Sequence, residues 1–101
     1  MILELAILNV RARLEREFEA AFAQASRIIA SMPGCIAHQL HRCIETSNQY
    51  ALLVRWTSLE THTVEFRGSA GYQRWKQLLH HFYDPFPSVQ HYELVAQNAA
   101  V

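Results

Sequence analysis

The segment Ile2–Val10 constrains the fold of this chain more than any other feature, because it is apolar on both of its alternating faces. In a strand, aliphatic side chains would stand on each side: Leu3, Leu5 and Ile7 on one face, and Ile2, Ala6 and Leu8 on the other. Tyr50–Trp56 has the same character. Strands of this kind must be covered on both sides. The sequence therefore predicts a sheet with a layer of protein against each face.

Between these strands the apolar spacing changes to three and four residues, which predicts an amphipathic helix over Arg11–Ser31. Its apolar stripe consists of Leu14, Phe18, Ala21, Phe22, Ala25, Ile28 and Ile29. Met32–Gly34 contains proline and glycine and ends this helix. Alternation returns over Cys35–Ile44, and the polar turn Thr46–Gln49 joins that strand to Tyr50–Trp56 as a hairpin.

Two further helices are predicted in the second half of the chain. Thr57-Ser58-Leu59-Glu60 fits a capping box, in which Thr57 accepts from a free amide of the first turn while Glu60 reaches back. We expect this helix to break at Gly68 and Ser69 to cap the next one. The buried stripe of that next helix is Tyr72, Trp75, Leu79 and Phe82.

The last segment adds one more strand. Asp84-Pro85 ends the preceding helix, because proline disfavours helical geometry at the residue before it. Val89–Val95 then has the pattern of a strand and leaves Ala96–Val101 as a tail. The order of elements predicts an α+β fold over residues 1–95, a ferredoxin-like antiparallel four-stranded sheet with helices on one face.

Helices on one face leave the other face of the sheet uncovered. A second copy of the chain would cover it, so we expect a homodimer. At 101 residues the chain forms a single domain, near the size at which association supplements burial within the protomer.

Composition limits the partners and the compartment. Nine basic and nine acidic residues leave a net charge of zero, so we expect neither nucleic acid nor a membrane surface as a partner. MILELAILNV lacks a basic leader and is shorter than the roughly 20 residues of a spanning helix. Cys35 and Cys43 are eight residues apart in one predicted strand, or roughly 26 Å. A bridge between them is excluded, which favours reduced thiols in the cytoplasm.

Four stretches together carry a family resemblance: the first strand ending in Asn9-Val10, MPGCIAHQLHR, YALLVRWTSLETH and FRGSAGYQRW. They resemble the antibiotic biosynthesis monooxygenase (ABM) family over residues 1–95. The resemblance implies a ferredoxin-like protomer whose sheet meets that of a partner in a dimeric α+β barrel, with a pocket between sheet and helices. It also implies an activity known in that family, which includes cofactor-free oxygenases of polyphenols or anthrones, quinol oxidases and haem-degrading enzymes.

The haem-degrading members differ from this chain at the residues they use. They carry an asparagine on the first strand, a tryptophan on the second helix and a histidine that binds the haem iron. Asn9 matches the asparagine, but the tryptophan position falls near Glu65 or Phe66. The histidine position falls near Trp75, so the iron ligand is missing from its place. We therefore expect no haem and no other cofactor.

Oxidation without a cofactor requires a substrate that gives an electron to oxygen, as a phenol or enol does once deprotonated. The protein must supply a base, donors for the oxyanion and a pocket that excludes water. His62 is the candidate base, because it lies one turn before Phe66 and points in the same direction. The resemblance implies that this direction is toward the pocket. Asn9, Arg55 and the indole N–H of Trp75 are the candidate donors.

Each candidate also has an ordinary structural explanation, and these explanations stay open. His62 can be a partly exposed helix residue without a role, and His38 a buried, hydrogen-bonded imidazole on an inward strand face. Asn9 lies near a strand end, where turn bonding is common, and Trp75 can belong to the core. We assign catalysis to His62 and Asn9, and substrate binding to His38, Arg55, Phe66 and Trp75.

The segment Leu78–Glu93, LLHHFYDPFPSVQHYE, is rich in histidine and aromatic residues, but a turn from helix to strand explains it. His80 and His81 diverge by about 100° on a helix and cannot point into one small site. For His91 the position near the pocket or near the dimer interface stays open. The sequence contains no Cys-x-x-Cys and no His-Glu-x-x-His, so we expect no metal.

These observations lead to one main hypothesis and two alternatives. The main hypothesis is a cytoplasmic homodimer that acts on a small aromatic or phenolic compound with molecular oxygen, as a cofactor-independent monooxygenase or quinol oxidase. The first alternative is a non-enzymatic dimeric protein that binds a small apolar ligand. The second is an isomerase on the same barrel, in which a base moves a proton and oxygen takes no part.

Overall fold

The computed structural model describes residues 1–99 and shows a four-stranded antiparallel sheet with helices packed on one face. The strands are β1 (Ile2–Asn9), β2 (Cys35–Arg42), β3 (Gln49–Trp56) and β4 (Val89–Tyr92). The helices are α1 (Glu15–Ala30) and α2 (Ala70–Leu79), together with a π-helical segment (Thr61–Phe66) and a 3-10 turn (His80–Phe82). The predicted order of elements and the ferredoxin-like fold class are confirmed.

The strands are arranged in the order β2-β3-β1-β4, which places β1 inside the sheet. β1 pairs along its whole length with β3, from Ile2 opposite Trp56 to Asn9 opposite Gln49. Directly opposed residues share a face. Even-numbered side chains of both strands therefore point toward the helices, and odd-numbered side chains point away from them.

The core lies between the helix-facing side of the sheet and the two helices. Its fully buried side chains are mostly aromatic or branched aliphatic: Val10, Phe18, Ile29, Tyr50, Val54, Trp56, Phe66 and Leu79. The α1 contribution matches the predicted apolar stripe. Burial of these large side chains supplies the main driving force for folding.

The opposite side of the sheet, which we call the open face, is uncovered in the protomer. Leu3, Leu5 and Leu53 are half-buried there, while Ile7 and Tyr92 remain 41% and 44% exposed. The prediction that β1 and β3 are apolar on both faces is confirmed. Coverage of the open face by a second copy remains a prediction.

Two predicted elements are shorter in the structure. The first helix covers Glu15–Ala30 rather than Arg11–Ser31, because Arg13 has a φ of 74° that a right-handed helix does not accommodate. The second strand covers Cys35–Arg42 rather than Cys35–Ile44.

The C-terminal strand is also shorter than predicted, covering Val89–Tyr92 rather than Val89–Val95. Within the predicted tail, residues 96–99 have no regular structure. Residues 100–101 of that tail lie outside the described part of the chain. The domain boundary at residue 95 remains a prediction.

The predicted capping box is wrong by one residue. Ser58 Oγ accepts from the Thr61 N–H at 3.3 Å, and Thr61 Oγ1 accepts from the Ser58 N–H at 3.1 Å. These two hydroxyl groups make the reciprocal bonds that we expected from Thr57 and Glu60. The break after this segment and the cap of α2 by Ser69 are confirmed.

The π-helical segment carries two buried rings toward the sheet. The N–H of Arg67 donates to the carbonyl oxygen of His62 at 3.2 Å, which closes the wide turn. His62 and Phe66 are the buried residues of this segment. π-helical turns are rare and concentrate at functional sites, which directs attention to the space in front of these two rings.

Candidate active site

A cavity of about 330 Å³ lies between the sheet and the helices. Pockets for small molecules have volumes of about 300 to 1,000 Å³. Three parts of the fold line this cavity. The sheet contributes Glu4, Ala6, Leu8, Leu52 and Val89, and the helical elements contribute Ile29, His62, Phe66, Arg67, Tyr72 and Trp75. The turn before β4 contributes His80, Tyr83, Phe86 and Pro87.

One wall of the cavity is aromatic. Phe66 and Trp75 pack edge to face with their centroids 5.7 Å apart, and Tyr72 packs on Phe66 in the same way at 5.2 Å. Phe66 and Trp75 are buried, so their ring positions are set by the core. A planar aromatic molecule can pack against such a wall by the same edge-to-face geometry.

The polar end of the cavity centres on Glu4, a residue of β1 that is only 5% exposed. Trp56 Nε1–H donates to Glu4 Oε1 at 2.9 Å, and His62 Nε2 lies 3.4 Å from the same oxygen. Burial raises the pKa of Glu4, although the bond from Trp56 and the charge of Arg67 both lower it. A buried carboxyl group with a raised pKa is a candidate for proton transfer.

His62 connects Glu4 to the edge strand β4. Its Nδ1 lies 2.8 Å from Nε2 of His91, and its ring stacks on Trp56 with centroids 5.1 Å apart. Burial is the main cause that lowers the pKa of His62 to about 3, and the charge of Arg67 and the neighbouring His91 contribute to the same shift. At neutral pH the contact with Glu4 therefore joins a carboxyl group to a neutral imidazole rather than forming an ion pair.

Three further groups in or near the cavity have pKa values that are shifted toward the neutral form. Burial lowers the pKa of His91, and Arg67 adds to this shift. Burial likewise lowers the pKa of His80 and raises that of Tyr83. Arg67 thus brings positive charge to a lining that is otherwise neutral or carries the Glu4 carboxylate.

Three of the six predicted site residues line this cavity: His62, Phe66 and Trp75. His38 faces the helices as expected, but its ring packs against Phe22 with centroids 6.2 Å apart, outside the cavity. The geometry thus brings together a histidine and the predicted aromatic wall.

Asn9 and Arg55 lie on the open face, on the other side of the sheet from His62. Asn9 Oδ1 accepts from Gln49 Nε2 at 3.2 Å, and Arg55 is exposed. Asn9 has the odd-numbered parity of Leu5 on β1, so the register directs it away from the helices. The structure does not bring Asn9 and His62 together, and the predicted roles of Asn9, Arg55 and His38 remain predictions.

Glu4, His91 and Arg67 were not among the predicted site residues. A carboxyl group inside an otherwise apolar strand is itself a signal, because an unpartnered buried charge is costly. The partners of Glu4 are not visible from local spacing, since Trp56 is 52 residues away along the chain. The signal for Arg67 is its position directly after Phe66.

Residues 1–99 contain neither a side-chain group suited to a metal ion nor a helix suited to crossing a membrane. In that part of the chain no three histidine, cysteine, aspartate or glutamate side chains are grouped to hold a metal ion. Nor does any helix among those residues have the length and apolar character needed to cross a membrane.

The sheet topology, with helices on one face and a cavity between the two layers, defines the class of ferredoxin-like α+β proteins. A family model described as "Antibiotic biosynthesis monooxygenase" matches residues 1–78. The chain belongs to the antibiotic biosynthesis monooxygenase family.

Individual relatives agree with this assignment. The uncharacterized protein YczJ of Bacillus subtilis (strain 168) is 53% identical over 93 residues, covering 92% of this chain and 98% of YczJ. A solved structure of a family protein from Bordetella bronchiseptica is 37% identical, covers 94% of this chain and 97% of its own, and superposes with a TM-score of 0.89. SnoaB, a cofactor-independent oxygenase from Streptomyces nogalater, shares the fold with a TM-score of 0.73 at 20% identity, covering 97% of this chain and 94% of its own.

Proposed function

We propose that the chain is a cofactor-independent oxidase or monooxygenase of a small phenolic or quinol compound. The cavity carries this proposal, because a buried carboxyl group, a neutral imidazole and an aromatic wall line the same space. Family membership supports the same reading, and the fold carries a cofactor-independent oxygenase in SnoaB.

The chemistry begins with the removal of a proton from the substrate. A phenolate or enolate gives an electron to oxygen far more readily than its neutral form does. In a quinol oxidation, two electrons and two protons pass to O2, which becomes H2O2. In the oxygenation of an anthrone-type CH2 group, one oxygen atom enters as the new carbonyl and the other leaves as water. The protein must take up and return protons in a site that excludes bulk water.

Within this proposal, Phe66 and Trp75 hold the substrate ring and His62 belongs to the proton-handling end. Arg67 at the rim supplies positive charge near the oxyanion that deprotonation creates. The positions of these side chains around one cavity support these roles.

We further propose that the working unit is a homodimer joined through the open face. Leu3, Leu5, Ile7 and Leu53 form an apolar surface on that side of the sheet, and a second copy would cover it symmetrically. Asn9 and Arg55 would then lie at or near the interface.

An isomerase is the second candidate, and the Glu4–His62 contact favours it equally. A buried base can move a proton between two carbon or oxygen positions with no oxidant present. The mass of the product separates the two candidates, because isomerisation leaves mass unchanged while oxidation removes two hydrogens or adds oxygen.

Oxygen consumption by metal-stripped protein tests the proposal. The protein is mixed with a panel of quinols, anthrones and catechols, and boiled protein serves as the control. We expect saturable uptake that depends on folded protein, with a product whose mass shows oxidation. Mass-neutral conversion would support the isomerase, and saturable binding without conversion would support a ligand-binding protein.

A further inference from the structure

We infer that the Glu4 carboxylate is the catalytic base of this site, and that His62 and His91 are positioning residues that hold it in place. The inference rests on the proposed function and names the group that takes the substrate's proton. It differs from the sequence-based prediction, which gave that role to His62.

Both ring nitrogens of His62 are already engaged by the protein. Nδ1 lies 2.8 Å from His91 Nε2, and Nε2 lies 3.4 Å from Glu4 Oε1. The ring is also held by stacking on Trp56. A substrate proton can reach His62 only if one of these contacts is broken, so His62 is suited to orient a neighbour.

Only one of the two carboxyl oxygens of Glu4 accepts a hydrogen bond in the described part of the chain. Its Oε1 receives the indole N–H of Trp56 at 2.9 Å, whereas Oε2 makes no hydrogen bond to any residue in the described part of the chain. Over the same residues, no side-chain oxygen or nitrogen without a partner is fully buried. Oε2 is therefore not fully buried, and Glu4 is one of the residues that line the cavity.

The inference assigns one hydrogen to each imidazole when Glu4 is ionised. His62 turns Nε2–H toward the carboxylate, and its bare Nδ1 accepts from Nε2–H of His91. Catalytic contacts are often long in a free enzyme and shorten when substrate binds, which suits the 3.4 Å separation between His62 and Glu4. Carboxylate, imidazole and imidazole then form one chain from the cavity to the edge strand.

Every element that packs around Glu4, His62 and His91 brings a titratable group to them. Cys35 faces Glu4 from β2 and His91 approaches from β4, while His62 and Arg67 come from the π-helical segment and its end. Burial raises the pKa of Glu4, which makes its carboxylate a stronger base than an exposed one. The lowered pKa of each histidine keeps its imidazole neutral at neutral pH, so each ring has one N–H donor and one bare nitrogen.

The proton balance closes for a quinol. Glu4 Oε2 takes the proton of one hydroxyl group, the ring passes electrons to O2, and the protonated carboxyl group returns the proton to the reduced oxygen. The second hydroxyl proton follows the same route. The products are a quinone and H2O2, and Glu4 ends the cycle ionised.

Heteronuclear NMR on the substrate-free protein tests the arrangement directly. With 15N-labelled histidine and 13C-labelled glutamate, we expect His62 at neutral pH as the neutral Nε2–H tautomer. We also expect the Glu4 carboxyl signal to titrate above the ordinary value of 4.5. Glu4→Gln should move the His62 signals, whereas His81→Gln, at an exposed histidine outside the cavity, should leave them in place. An Nδ1–H tautomer or an imidazolium at His62 would overturn the inference.

Steady-state kinetics on a substrate that the protein turns over test the role of Glu4 as the catalytic base. Glu4→Gln should lower kcat by about 100-fold or more, and the acid limb of the wild-type kcat profile should follow the Glu4 titration seen by NMR. His91→Gln should shift that limb, while His81→Gln should not. Wild-type activity retained in Glu4→Gln would overturn this inference alone. A wild-type protein inactive toward every phenol would overturn the proposed function and the role of Glu4 together.

Discussion

Acidification should destabilise this fold through His62, and replacing His62 or Glu4 should change the pH dependence in opposite directions. The folded state lowers the pKa of His62 to about 3 from an ordinary value of 6.5. Between these values the unfolded chain binds the proton more tightly than the folded chain does. Stability contributed by His62 is therefore present above pH 6.5 and is lost as the pH falls toward 3.

The size of the effect follows from the shift. One pKa unit corresponds to about 1.4 kcal/mol, so acidification from pH 7 to pH 5 should cost on the order of 1 to 2 kcal/mol. The cost is nearer to about 1 kcal/mol if solvent at the cavity mouth screens the charge of His62. Attraction between a protonated His62 and Glu4 would also reduce the cost.

Glu4 contributes with the opposite sign. Its pKa is raised in the folded state, so its contribution is present at low pH and is lost as the pH rises through the folded value. In the wild type the two groups partly cancel. Glu4→Gln should therefore lose more stability than the wild type between pH 7 and pH 5, and His62→Gln should lose less.

Urea unfolding at pH 5, 6 and 7 measures these slopes, with tryptophan fluorescence as the signal. Protein concentration is held constant, because association would make the stability depend on it. His91 and His80 also have lowered pKa values and remain in both variants, so they form a shared background. Equal slopes in the wild type and His62→Gln, or a shallower slope in Glu4→Gln, would refute the reasoning.

Three further outcomes are expected. Gly34→Ala should destabilise the fold by about 1 to 3 kcal/mol in thermal unfolding, because the new Cβ would lie 2.6 Å from Thr61 Cβ; an unchanged Tm would contradict this crowding. Ser69→Ala should cost about 1 kcal/mol through loss of the α2 cap, measured by urea unfolding. Leu53→Glu should give a monomer in analytical ultracentrifugation, unlike a glutamate on the exposed side of α1; a monomeric wild type would remove the homodimer from the account.

The fold could be predicted from the sequence because the local patterns agree with the tertiary packing. The helix-facing side of Ile2–Val10 and the apolar stripe of α1 are buried together in one core, as their patterns predict. The errors lie at boundaries, where single residues decide. Arg13 delays the first helix by its positive φ, and hydroxyl groups on Ser58 and Thr61 outcompeted the expected cap.

The candidate site was accessible only where it depends on local spacing. His62 and Phe66 are four residues apart, so a single helical turn predicts that they share a direction. The contact of His62 with Glu4 depends instead on how β1, the π-helical segment and β3 pack together, which no local pattern encodes. The position of Asn9, in contrast, could be read from the sequence. Side chains alternate along a strand, so Asn9 shares a face of β1 with Leu5 and not with Glu4.

A crystal structure of the protein with hydroquinone, grown without oxygen, tests the central claim most directly. We expect the ring in the cavity against Phe66 and Trp75, with one hydroxyl oxygen at about 2.6 to 3.2 Å from a carboxyl oxygen of Glu4. Hydroquinone bound on the open face beside Asn9, with the cavity empty at saturating concentration, would contradict it.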